Sequence, residues 1–160
     1  MSIPIHTAKM AVKWCKESSA GSRPTSGYKT LDGVKEIAAD NDAPNTIQTT
    51  ELKDWPAHTY IPGLRGGNGA LGITVNDYAA FRTSYADLLS DYASAKADNK
   101  ALWIEFAYPP DSGMDSYYFT AIPSELGFGG AAVDGVVENV AYLIRTNNPT
   151  FAAASTNSTT

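Results

Sequence analysis

A chain of 160 residues and 17.0 kDa is the size of a single domain. Its composition is 43% hydrophobic and only 18% charged, with 13 Gly and 9 Pro, which points to a β-rich, turn-rich fold. A net charge of −5 and a pI near 4.9 argue against tight electrostatic binding to nucleic acid or an anionic membrane. The single cysteine, Cys15, excludes an internal disulfide framework and every multi-cysteine metal module. Met1–Lys16 lacks the apolar core of a signal peptide, and no apolar run is long enough to span a bilayer. A soluble protein, not exported by the general secretory route, is expected.

Along the chain, Ala8, Met10, Val12 and Trp14 alternate with Lys9 and Lys13, the period of a half-buried strand. A loop with Gly21, Pro24 and Gly27 follows. Leu31–Ile37 reads as a second strand with poorer alternation. Residues 38–57 contain the loop-like Ala38-Ala-Asp-Asn-Asp-Ala-Pro-Asn, a polar β-branched run Thr46–Thr50, and a turn at Leu52–Pro56. So long an inter-strand segment suggests a functional loop, with a short edge hairpin as the alternative.

His58–Pro62 and Ala70–Val75 read as short strands around the glycines at 63, 66, 67 and 69. Tyr78, Phe81, Tyr85, Leu88, Leu89, Tyr92 and Ala95 then recur at helical spacing, predicting a helix over residues 77–98. Asn76 or Asp77 is its expected cap and Asn99 its stop. A hairpin follows: Leu102–Tyr108, a turn at Pro109–Gly113, and Tyr117–Ile122. Glycines 127, 129 and 130 mark another turn before the long strand Val136–Arg145, on which Val136, Glu138, Val140, Tyr142 and Ile144 share a face. The tail from Pro149 cannot build a core alone and is expected to be disordered or to order on a partner.

Catalytic and ligand-binding patterns fail one by one. Gly67-Asn-Gly-Ala-Leu-Gly72 matches the dinucleotide fingerprint, but Ile73–Val75 continues as a strand where a helix N-terminus is needed. Asp40, Asp42 and Glu51 imitate part of a calcium loop, yet Pro44 and Asn45 stand where a ligand and a glycine belong. His6 and His58 lie in no catalytic signature, and Cys15 is taken as an inert thiol despite its lysine neighbours. Asp111 and Asp115 sit in a hairpin tip, where charge keeps a turn solvated. No enzyme, metal or cofactor is expected.

The order Tyr28-Lys-Thr-Leu-Asp-Gly-Val34, then Pro44-Asn-Thr-Ile-Gln-Thr-Thr-Glu-Leu52, then Thr59-Tyr-Ile-Pro-Gly-Leu64 resembles the major tail (tail tube) proteins of long-tailed, siphovirus-type bacteriophages. The likeness continues through the helix, the hairpin and the last strand, covering most of residues 28–151. It departs at Arg65–Gly72, where Gly66-Gly-Asn-Gly replaces an acidic-polar turn. The motifs are short; their order and spacing carry the resemblance.

The resemblance implies a mainly β domain with one helix: a β-sandwich or partial barrel, a long inter-strand loop and extended termini. The single domain would comprise an N-terminal strand and loop (1–27), a stacking loop (38–57), the helix (77–98) and a C-terminal arm (149–160). It further implies a virion protein that forms hexameric rings, stacked into a tube around the tape-measure protein and later conducting DNA. Its partners would be other copies of itself, the tape-measure protein, tail terminator and distal tail proteins, and viral DNA in non-specific passage. It would be assembled in the host bacterial cytoplasm and located in the virion tail. Asp40, Asp42, Asn45, Gln48, Glu51, Asp54 and Trp55 are its inter-ring candidates; Glu36, Glu105 and Glu138 its lumen candidates; Pro149 and Phe151 its inter-subunit arm. The alternatives are a monomeric carbohydrate-binding β-sandwich and a tail terminator or connector ring protein.

Overall fold

The computed structural model describes residues 9–41, 44–51, 53, 57–65 and 69–156. Its elements are β1 (Ala11–Lys16), β2 (Lys29–Thr30), β3 (Val34–Ile37), β4 (Pro44–Gln48), β5 (Tyr60–Arg65), β6 (Ala70–Asn76), α1 (Ala79–Ala97), β7 (Leu102–Ala107), β8 (Ser116–Pro123), β9 (Glu138–Arg145) and β10 (Thr150–Ala152). The fold is mainly β with one long helix, as expected. An eight-stranded sheet runs β2-β1-β7-β8-β9-β6-β3, with β10 added beside β8. All its ladders are antiparallel. Its ends at β2 and β3 are not joined, so the barrel stays open. β4 and β5 form a separate two-stranded sheet.

Strand period decides which side chains meet. Val12 and Trp14 of β1, Ile73 and Val75 of β6, Ile104 of β7, Phe119 of β8 and Leu143 of β9 join one buried cluster with Phe81, Tyr85 and Leu88 of α1. Strands distant in the sheet order share that cluster, so the sheet curls and α1 lies against its inner face. The helix keeps the predicted stripe but starts differently. Tyr78, not Asn76 or Asp77, is the N-cap residue, and no side chain caps it. Asp77 instead takes a paired contact from Arg82 at 2.6 Å through both carboxylate oxygens. That bond holds the Asp77 carboxyl below its usual range. The expected stop is observed: Asn99 has φ +53°, and Asn99 and Lys100 donate their amides to Lys96 and Ala95, the paired bonds of a Schellman ending.

The poor alternation of residues 31–37 has a cause. Leu31 is buried ahead of a turn at Asp32-Gly33, and a β-bulge between Val34 and Glu36 breaks the register against β6. A Cβ on Gly33 (φ +76°) would stand 2.8 Å from the Tyr78 ring and 2.9 Å from the Asn76 carbonyl, so the turn demands glycine. β1 begins at Ala11, and β9 at Glu138 rather than Val136. Ala8 lies outside the described residues, as does Gly67.

Candidate assembly surfaces

β4 and β5 pair antiparallel on a sheet of their own, so part of the predicted long loop is a strand of a hairpin. Its ladder pairs Thr46 with Pro62, Ile47 with Ile61 and Gln48 with Tyr60. Ile47 and Ile61 therefore share one face, and Gln48 and Tyr60 the other. All four are exposed. Polar contacts continue past the strand ends: Thr49 donates its amide to the Thr59 carbonyl at 2.9 Å, and Thr59 donates its amide to Thr50 Oγ1 at 3.0 Å. Gln48 Nε2 lies 3.0 Å from His58 Nδ1, and Lys53 pairs with Glu51 at 2.7 Å.

Of the inter-ring candidates, Asn45, Gln48 and Glu51 sit exposed on this hairpin. Asp42, Asp54 and Trp55 lie outside the described residues. Asp40 is corrected: it is an anchor of the hairpin's root. Its Oδ2 receives Arg145 Nη1 at 2.7 Å and the Tyr117 hydroxyl at 2.6 Å, with both charged side chains largely buried. Burial, then Asp40, pushes the Tyr117 phenol well above its usual range. The carboxylate thus ties the start of the hairpin to the end of β9 and the start of β8.

The outer face of the sheet divides in two. Over β7 and β8 it is covered by the chain itself. Glu105, named above as a lumen candidate, is fully buried there. It accepts from Ser155 Oγ at 2.6 Å, from the Ser155 amide at 3.2 Å and from the Tyr118 hydroxyl at 3.2 Å. The correction has a plain cause: β7 is buried on both faces, because residues 153–156 return across it. β10 belongs to that returning segment, pairing Thr150 with Tyr118 and Phe151 with Tyr117. The proposed arm thus lies, from residue 150 to residue 156, on its own subunit. Arg23 stacks 4.2 Å over the Tyr118 ring, and Tyr28 meets that ring edge-on. Burial raises the Tyr118 phenol to about 12. Nearby, Glu17 takes Trp103 Nε1 at 2.8 Å and the Ala101 amide at 3.1 Å.

Over β9, β6 and β3 the outer face is bare of cover from the described residues. Val140, Tyr142 and Ile144 of β9 are exposed, with Ile122 of β8 beside Ile144. Register puts Thr74 between Val140 and Glu36, so Glu36 and Glu138, the other two lumen candidates, share this face. Glu36 is exposed; Glu138 is ion-paired with Lys35.

The loop 124–137 between β8 and β9 carries a feature that sequence reading treated only as a turn. Phe128 is 84% exposed, Val133 93% and Val136 73%. Hydrogen bonds hold its two limbs: the Ser124 amide to the Tyr142 carbonyl at 3.0 Å, Asn139 Nδ2 to the Gly127 carbonyl at 2.9 Å, and the Asp77 amide to the Val137 carbonyl at 2.8 Å. A Cβ on Gly129 would run into the Glu138 carbonyl, so glycine lets the loop lie close against β9. The signal was present as Phe128, Val133, Val136 and Val137 in a Gly-rich stretch, too irregular for a strand to bury.

Chemistry elsewhere is sparse. Among the described residues no group of three or more His, Cys, Asp and Glu side chains could hold a metal, and no helix is long and apolar enough to cross a membrane. Burial, followed by Asp91, raises the Cys15 thiol, opposite to what an activated nucleophile needs. Asp111 and Asp115 are exposed at their turn. A groove of about 630 Å³ between β3 and the ends of β7 and β8 is lined by Ile37, Phe106, Tyr108 and Tyr117 among others.

No protein-family model matches the chain, and no curated protein does. Solved structures do. A chain of the anti-feeding prophage baseplate superposes with a TM-score of 0.61 at 11% identity, covering 96% of this chain and 98% of that one. A chain of the native gene transfer agent virion gives 0.53 at 10% identity, covering 79% and 89%. A chain of the anti-feeding prophage tube-terminating cap gives 0.52 at 15% identity, covering 96% and 94%. At these identities the likeness is one of fold: the chain has the fold of subunits found in phage-like tail and injection particles.

Proposed function

We propose that the chain is a structural subunit of a phage-type tail, not an enzyme, and that it assembles into hexameric rings stacked as a tube. The tube would enclose the tape-measure protein and conduct DNA, in a virion assembled in the host cytoplasm. The observation that carries this reading is the hairpin 44–65. On a fold shared with tail-particle subunits, it stands on a separate sheet and offers Ile47, Tyr60 and Ile61 to solvent. An exposed apolar ribbon of this kind is an association element in a protein that works as a multimer, and a liability in one that stays single. The charge fits the role: a conduit should repel phosphate, and an acidic subunit repeated around a ring does so.

Electron micrographs of the purified full chain test the reading. Tubes or stacked rings are expected, and deletion of residues 41–54 should leave a folded subunit that makes no tubes. Monodisperse particles with glycan affinity would overturn it in favour of a carbohydrate-binding sandwich. The second reading, a terminator or connector ring, draws on the likeness to the tube-terminating cap and baseplate chains. It expects single rings that never elongate.

A further inference from the structure

Two elements with exposed apolar side chains leave the sheet from opposite ends of the same strands. β6 starts at Ala70, on the hairpin side, and ends at Asn76, beside Glu138. β9 starts there, where the loop 124–137 enters it, and runs back to Arg145 at the hairpin's root. Seven residues of extended chain separate the two ends by roughly 20 Å. We propose that the loop 124–137 of one copy is the docking site for the 44–65 hairpin of the next copy. The proposal rests on the tail reading above and deepens it by naming the receptor of the stacking hairpin.

Area supports a second copy as the occupant. Phe128, Val133, Val136 and Val137 together offer on the order of 500 Å² of apolar surface, as much as the largest patch of an ordinary monomer. That is more than half of the roughly 800 Å² that each partner buries in a stable interface. The hairpin brings an apolar face in Ile47 and Ile61, directly opposed across its ladder, with Tyr60 exposed on the other face. Hydrogen bonds to β9 and to Asp77 anchor both limbs of the loop, at Ser124, Gly127 and Val137, so its exposed side chains are carried between fixed ends. Two different patches at opposite ends make a heterologous contact, which propagates into an open stack. A loop pairing with itself would close a two-fold dimer and stop.

Complementation between two full-length variants tests this. Val133→Asp/Val136→Asp spoils the loop and Ile47→Asp/Ile61→Asp spoils the hairpin; both pairs are solvent-exposed, and unchanged thermal melts check the fold. Each variant alone is expected to give single rings, with particle length reduced at least tenfold from wild type. Mixed together, each retains one intact surface, so ring pairs should form and go no further. Tubes of normal length from the loop variant, or mixtures without ring pairs, would overturn the docking site while leaving the tail reading in place. Wild-type protein that stays monomeric would overturn both.

Discussion

The two halves of the outer sheet face solve the same problem in different ways. Over β7 and β8 the chain covers itself: the 17–28 loop and the 150–156 segment bury Trp103, Glu105 and Tyr118 and supply partners for their polar atoms. Over β9, β6 and β3 none of the described residues lies on Val140, Tyr142 and Ile144. A carboxylate is tolerable under the first half only because donors travel with the cover. Aliphatic side chains are tolerable on the second because water merely surrounds them, at a modest free-energy cost. The covered half therefore contributes to the stability of the folded chain, and the bare half is the one open to contact from outside.

Removing the cover is the largest perturbation of that contrast. Truncation after Asn148 takes away β10 and Ser155, leaving Glu105 and the Tyr118 hydroxyl without the donor and carbonyl they use. A loss of about 3–5 kcal/mol is expected, from several hydrogen bonds at about 1 kcal/mol each together with the apolar cover of β8. Chemical denaturation of the truncated chain checks it, and a midpoint equal to wild type would show that the strap is dispensable. Asp40→Ala comes next. It removes the carboxylate that Arg145 and Tyr117 both reach, and about 2–3 kcal/mol should be lost. Assembly should fall further than stability does, because the hairpin's root is released. Equal loss in both would mean that Asp40 only holds the subunit together.

Alkaline pH probes the covered half, and the core beneath the sheet, in a third way. Burial raises the phenols of Tyr118 and Tyr85 to about 12, while an unfolded tyrosine titrates near 10. The unfolded chain then loses these protons first. Their contribution to stability is complete below about pH 10 and disappears as pH rises towards 12. Alkaline melts should show this decline, and Tyr118→Phe should make it shallower. An identical alkaline profile for that variant would remove Tyr118 from the account.

Much of this contrast was readable in advance, and the unreadable part has a physical pattern. Period-2 spacing found β1, β7 and β9, and the 3.6 spacing found α1, because those elements bury one face against the core. The same spacing put Val140, Tyr142 and Ile144 together but could not tell which face of β9 is inside: Ala141 and Leu143 are buried, and Val140, Tyr142 and Ile144 are out. Glu105 misled for a related reason. Alternation placed it opposite Ile104, away from the core, and nothing local announces that a segment 50 residues later will fold across it. Asp40 looked like one acid among several in a polar loop; its partner lies 105 positions away. Local pattern reports burial against the core, whereas long-range cover and distant ion pairs leave no periodic trace.

The smallest effect on the subunit belongs to the bare half, and it is the most informative. Val140→Thr, Tyr142→Ser and Ile144→Thr replace exposed side chains whose strand neighbours Ala141 and Leu143 keep their places in the core. Surface changes of this kind usually stay within about 0.5 kcal/mol each, so the melting curve of the triple variant should nearly overlay that of wild type. If the face meets a neighbouring copy, the same variant should lose ring formation by size-exclusion chromatography, because its apolar contact area is gone. If the face lines a channel together with Glu36 and Glu138, rings and tubes should form normally, because a channel wall needs no apolar partner. Rings intact and stability intact would give the bare half to the lumen; rings lost with stability intact would give it to the neighbour. A large fall in subunit stability would contradict the division itself, since it would mean that the bare face carries energy the isolated chain depends on.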